Sequence, residues 1–259
     1  RISSDRRGPF SIPGNLCYFC SEKIYLMKYR NVFIDLDDTL WDFKSSSAVA
    51  LKNLYDKYDL DRLFPSFEEF RGLYMRKNHE LWELYHHGSI TKDELIVERF
   101  RFLLKQSGYQ DGEDRYALEL NESYLMLLSE QTLLVPYAIE LLEYLKAKDY
   151  RLFVLSNGFT ETQYRKLRSG GLESYFDRIV LSDEIGVTKP NPELFRYALE
   201  VTGSQIDDTL MIGDNYGADI MGACNSGWGQ IYYNPENVPV TGVIPDYMVG
   251  DLRDIMTIL

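Results

Sequence analysis

NVFIDLDDT, residues 31–39, is the stretch on which the fold turns. Its first half is apolar and rich in β-branched and aromatic side chains, the composition of a short strand buried on both faces of a parallel sheet. The reading extends that strand to Leu36, as NVFIDL at 31–36. Its second half sets three carboxylates, Asp35, Asp37 and Asp38, within four positions, where mutual repulsion is costly. In isolation the cluster suits a solvated acidic turn. Directly behind a buried strand it suits chemistry, because strand alternation sends Asp35 and Asp37 to one side and a divalent cation is the simplest way to hold them together.

Similar apolar runs recur at 151–155 (RLFVL), 178–181 (RIVL), 209–212 (TLMI) and 230–233 (QIYY), each separated from the next by helix-like or loop sequence. This β/α alternation predicts a doubly wound, Rossmann-like parallel sheet whose strand carboxyl ends share one edge, the edge where open α/β sheets bind ligands. Well over a hundred residues separate the first two runs, and about residues 45–130 of them read as helical, so an inserted helical bundle is expected there. Ser66 with Glu69 and Thr91 with Glu94 have capping-box spacing, while Gly88 and Gly108 fall where helices should stop. The expected organisation is an α/β core at 27–44 and 131–259, the helical insert at 45–130, and an upstream or vector-derived extension at 1–26, where Gly8-Pro9 and Pro13-Gly14 interrupt any periodicity.

The formal net charge of −12, with no dense Lys/Arg cluster, argues against a nucleic-acid polymer as partner. No stretch approaches the apolar length of a membrane span. An acidic protein that handles a small anion must gather positive charge locally, through a metal ion or placed lysines. Three cysteines, Cys17, Cys20 and Cys224, provide no disulfide framework, and a reducing cytoplasm fits best. The Cys17-x-x-Cys20 spacing lacks a second pair and is given no function. Monomer and homodimer both stay open.

The later runs end in polar clusters. After the second come Ser156, Asn157 and Gly158, which suit either a helix cap or a phosphate cradle at the start of a helix near Thr160. GVTKPNPELF, residues 186–195, fixes Lys189 in a loop stiffened by two prolines. After the fourth run comes Gly213-Asp214-Asn215, with Asp214 suited to completing a metal shell and Asp219 to orienting Lys189 or the ligands from behind.

DLDDT, LSNG, the lysine of GVTKPNPELF and GDNYGAD, each behind its own strand and in this order, resemble the four motifs of the haloacid dehalogenase superfamily, and the insert resembles its helical C1 cap. The resemblance implies a magnesium-dependent phosphatase acting through an aspartyl phosphate. Asp35 would be the nucleophile, Asp37 the general acid and base, and Ser156 and Lys189 the groups binding the phosphoryl oxygens. Magnesium would be held by the carboxylates of Asp35 and Asp214 and the backbone carbonyl of Asp37, with Asn215 and Asp219 behind them. An acid at Asp37 argues against dehalogenation, since a carbon–halogen bond needs no protonated leaving group.

DLDDTLWDF (35–43), NHELWELYHHGSIT (78–91) and SNGFTETQYRKL (156–167) are further similar to the bacterial pyrimidine 5'-nucleotidases. That likeness implies a nucleoside monophosphate as substrate, with Trp41 and Trp82 as stacking walls and Thr39, Asn157 and Gly158 as further substrate contacts. Phe43, Tyr85, His86 and Phe159 are additional wall candidates. Three alternatives stay open: a phosphatase for sugar or other small-metabolite phosphates, a phosphonate hydrolase using a Schiff-base lysine such as Lys52, Lys57, Lys77 or Lys92, and a non-enzymatic phosphate-sensing module.

Overall fold

The computed structural model describes residues 28–110, 112 and 114–259, so the expectations for residues 1–26 and for Cys17 and Cys20 lie outside the described residues. Six parallel strands form one sheet in the order β3-β2-β1-β4-β5-β6. They are β1 (Asn31–Ile34), β2 (Arg151–Ser156), β3 (Arg178–Leu181), β4 (Thr209–Gly213), β5 (Gly229–Tyr233) and β6 (Tyr247–Val249). The helices are α1 (Phe43–Lys57), α2 (Phe67–His86), α3 (Lys92–Gln106), α4 (Arg115–Ser129), α5 (Ala138–Ala147), α6 (Thr160–Ser169), α7 (Pro192–Thr202), α8 (Met221–Asn225) and α9 (Leu252–Ile258). Among the described residues no helix is long and apolar enough to cross a membrane.

The central strands read as continuous apolar runs because both faces are covered. Val32, Ile34, Leu152, Val154, Leu210 and Ile212 face one apolar cluster, while the alternating Phe33, Phe153, Leu155 and Met211 face another built with Phe195 and Trp228. β1 pairs with β2 on one side and β4 on the other, and the order reverses beside it, which makes its carboxyl end the switch point where such sheets hold ligands. The strand stops at Ile34, two residues short of the sequence reading, although Asp35 still donates its N–H to Ile212 O at 2.9 Å. β6 escapes the sequence reading because it is three residues long at the sheet edge, with Met248 55% exposed.

Between β1 and α5 the chain runs through α1 to α4. Thr91 and Glu94 complete a reciprocal capping box at α3, and Ser66 accepts from Glu69 N–H at α2. Gly88 and Gly108 take positive φ just beyond α2 and α3, as helix termination requires. Outgoing and returning chains are hydrogen-bonded side by side, with Asp42 N–H to Leu133 O at 3.1 Å and Val135 N–H to Leu40 O at 2.9 Å. One apolar cluster continues across this ribbon from Leu36, Leu40 and Trp41 into Leu51, Phe70, Tyr74, Phe100 and Tyr124 of the bundle.

Candidate active site

A single cavity of about 270 Å³ lies between the carboxyl edge of the sheet and the helical bundle, and it collects Asp35, Asp37, Ser156, Asn157, Gly158, Trp82, Lys189, Asp214, Asn215 and Asp219. Asp35 follows β1, Ser156 ends β2 and Asp214 follows β4, so three adjacent strands deliver them. Lys189 enters from the loop before α7, where Asn191 caps the helix and Pro192 opens it.

Lys189 is the electrostatic hub. Its buried Nζ lies 2.5 Å from Asp35 Oδ1 and 2.7 Å from Asp219 Oδ1, and it donates to Leu155 O at 2.6 Å. Burial alone would lower its pKa, yet Asp219 and Asp35 outweigh that and push the ammonium above its ordinary value. Burial raises the Asp35 carboxyl to about 7; Lys189 opposes the shift, while Asp219 and Asp37 add to it. Burial, followed by Asp35, Asp219 and Asp38, raises Asp214 to about 8. Oxygen atoms of Asp35, Asp214 and Asp219 all lie within 4.8 Å of one another. Lys189 compensates two of these carboxylates, whereas among the described residues Asp214 has the Thr39 hydroxyl alone, at 3.1 Å. A crowded all-oxygen set with more negative than positive charge fits a hard divalent cation.

Asp37 has its own partners. Lys166 Nζ lies 2.6 Å from one carboxylate oxygen, and Gln163 Nε2 donates to the other at 3.0 Å and to Ser156 Oγ at 2.7 Å. Both donors sit on the inward face of α6, where Lys166 also lies 4.8 Å from the ring centre of Trp41 and 5.2 Å from that of Phe43. Sequence reasoning missed this pair. The available signal was their three-residue spacing next to Leu167, which puts polar side chains on a helix stripe that should be apolar. Arg99 was missed for the same reason, standing four residues after Leu95 on the buried face of α3.

Two expected substrate contacts, Trp41 and Thr39, fall outside the cavity lining. Trp41 is 0% exposed, packed under the ribbon that joins sheet and bundle, and offers no face to a ligand. Thr39 is buried and spends its hydroxyl on Asp214. Asn157 lines the cavity and also braces the Lys189 loop, accepting from Lys189 N–H at 2.7 Å and donating to Lys189 O at 3.0 Å. Those two bonds fix the amide orientation, so the 3.2 Å contact with His86 Nε2 is a donation from the Asn157 nitrogen, and the ring nitrogen must accept. The chain turns after Ile34, so side chains beyond Asp35 no longer follow strand alternation; Asp38 has φ +57° and accepts from Lys44 N–H at 3.0 Å.

Trp82 lines the cavity and stacks on Phe159, with ring centroids 5.3 Å apart and an interplanar angle of 29°. Tyr85 meets the same Phe159 edge-on at 6.1 Å. Asn215 accepts from Ala218 N–H and, through its own N–H, holds Asp219 Oδ2. Among the described residues the lysines lining the cavity are Lys166 and Lys189. Lys52 pairs with Asp56, Lys77 with Glu80 and Lys92 with Asp183, and Lys57 donates to Ser123.

Aspartates and a buried lysine gathered on one sheet edge, beneath an inserted bundle, suit one hydrolase class, and the chain belongs to it: the haloacid dehalogenase-like hydrolase family model matches residues 29–227. The chain is 34% identical over 237 residues to the HAD-hydrolase YfnB of Bacillus subtilis, an alignment covering 90% of this chain and 97% of that protein. It is 30% identical over 235 residues to the pyrimidine 5'-nucleotidase YjjG of Escherichia coli, covering 90% of this chain and 99% of that one. The structure of YfnB bound to magnesium superposes with a TM-score of 0.78 at 32% identity, over 89% of this chain and 98% of that one.

Proposed function

We propose that this hydrolase cleaves phosphomonoesters with magnesium through an aspartyl phosphate on Asp35, and that its substrates are nucleoside 5'-monophosphates of the pyrimidine type. The observation that carries the reading is Lys189 bridging Asp35 and Asp219 at one end of a cavity whose wall is the stacked Trp82 and Phe159. Asp35 attacks phosphorus in line. Lys189, together with the Ser156 hydroxyl at the end of β2, offsets charge on the oxygens of the transferring group. Asp37 gives a proton to the leaving oxygen and later takes one from the water that opens the acyl phosphate, help worth about a hundredfold to ten-thousandfold. Magnesium, held by the Asp35 and Asp214 carboxylates and the Asp37 carbonyl, would supply Lewis-acid neutralisation of the phosphoryl oxygens.

The nucleotide preference is supported by the aromatic residues Trp82 and Phe159 in the cavity lining and by the similarity to YjjG and to the pyrimidine 5'-nucleotidase PynA of Streptococcus pneumoniae, 30% identical over 235 residues. Phosphonate hydrolysis by a Schiff base is disfavoured by the bundle lysines, which are engaged elsewhere. Phosphate release from a panel of nucleoside monophosphates and sugar phosphates, with magnesium or chelator, tests the reading. Release should require the metal, vanish in Asp35→Asn and favour uridylate and thymidylate. A wide preference for hexose phosphates would refute the substrate, and turnover by Asp35→Asn would refute the mechanism.

A further inference from the structure

On the bundle side of the cavity, a buried arginine stands without an anion among the described residues. Arg99 on α3 is 3% exposed and lines the cavity between α2, α3 and α4. A guanidinium cannot shed its charge, and buried charges in proteins are ordinarily paired. The two other buried cations among the described residues obey that rule, Lys166 with Asp37 and Lys189 with Asp35 and Asp219. Arg101, two residues along the same helix, takes both Asp114 and Glu98. Among the described residues Arg99 meets only neutral groups: Asn121 Oδ1 at 2.7 Å, Asn78 Oδ1 at 3.4 Å and the Tyr74 hydroxyl at 3.5 Å. The last two are long for hydrogen bonds, and the buried Nε has no partner.

Bracing three helices does not account for this. Neutral side chains can brace a bundle without desolvating a charge, and an unsatisfied N–H of a buried guanidinium is costly. Asn78 from α2 and Asn121 from α4 hold the guanidinium from two sides, in the same cavity as Trp82. We infer that Arg99, steadied by Asn78 and Asn121, is a recognition subsite for a carbonyl or carboxylate oxygen at the end of the substrate distant from its phosphate. The inference rests on the phosphomonoesterase reading and deepens it: the ring carbonyls of uracil or thymine present such oxygens, and so does the carboxylate of a phosphorylated sugar acid.

The test measures kcat and KM for uridine 5'-monophosphate, 6-phosphogluconate and phenyl phosphate, the last having no distal oxygen, in the parent and in Arg99→Met, Arg99→Lys and Asn121→Asp. Arg99→Met should lower the preference for the oxygen-bearing ester over phenyl phosphate by about ten- to a hundredfold, mainly through KM, with Arg99→Lys between it and the parent. Asn121→Asp supplies an internal carboxylate, so it should raise the melting temperature while lowering the same preference. A purely structural arginine would give the rise in melting temperature with the preference unchanged, which overturns the inference, as does an unchanged preference in Arg99→Met. Should 6-phosphogluconate be the preferred ester and its preference depend on Arg99, the subsite stands and the nucleotide assignment falls. Calorimetric binding of the preferred ester to Asp35→Asn, with and without Arg99→Met, reads the subsite independently of turnover; equal affinities overturn it.

Discussion

Replacing Lys166 by methionine isolates what the α6 ammonium does for Asp37. The Lys166 side chain is 4% exposed and that of Asp37 29%, so solvent screens the 2.6 Å contact only in part. Methionine fills most of the same volume against Trp41 and Phe43, sacrificing cation–π attraction of about 0.5–2 kcal/mol while also removing a desolvated charge, so stability should change little. The loss should appear in turnover. A hydrogen bond to a charged group contributes about 1.5–3 kcal/mol. At about 1.4 kcal/mol per tenfold, kcat on an alkyl phosphate should fall about ten- to 150-fold. The assay is a double-mutant cycle with Asp37→Ala, reading kcat and the melting temperature of all four proteins. In the Asp37→Ala background, Lys166→Met should cost almost nothing further, because the group it orients is gone. Fully additive losses, or a fall in melting temperature with kcat intact, would refute the argument and leave Lys166 a packing residue.

Two further outcomes follow from titration. Burial lowers the His86 pKa below its ordinary 6.5, and its Nε2 accepts from Asn157, so the folded state favours the neutral ring. The unfolded chain therefore takes up the proton first: the contribution to stability is full above about pH 6.5 and is lost as pH falls through the lowered folded value. His86→Gln should flatten the decline in urea stability below pH 6.5, and an unchanged slope would dismiss the ring as its source. Asp35 and Asp214, raised to about 7 and about 8, have the opposite sign without metal, holding protons in the folded state that the unfolded chain has released above about pH 4. Magnesium must displace those protons, so the rise in melting temperature it produces should be larger at pH 8 than at pH 6 and absent in Asp214→Asn. Equal rises at both pH values would contradict the raised carboxyls.

What could be read from the chain divides along a physical line. Strands β1 to β5 were legible because a sheet covered on both faces demands uninterrupted apolar runs, and the residues just beyond them had to reach the ligand edge. β6 was not, since a three-residue edge strand has no such demand. Asp35, Ser156, Lys189 and Asp214 could be located by their places behind strands and in a stiff loop. Trp41 and Thr39 turned away from the cavity because side-chain direction after a turn depends on tertiary packing, which no local pattern records. Gln163, Lys166 and Arg99 were overlooked because a polar residue on a helix is ordinarily a solvated one. Apart from Ser156, seven positions from Gln163, their partners stand 21 to 129 positions away in the chain.

The Asn157 amide has no bonding capacity to spare on its nitrogen: one hydrogen serves the backbone of Lys189 and the other serves His86 on the bundle. One planar group thus spans the Lys189 loop, where the proposed function places the phosphoryl group, and the last turn of α2. Linkage between two sites through a shared element is reciprocal, so whatever free energy a bound phosphoryl group gains by ordering the Lys189 loop is returned as tighter seating of α2, and loosening α2 weakens hold on the phosphoryl group equally. The bundle and the sheet edge therefore cannot be tuned for affinity one at a time.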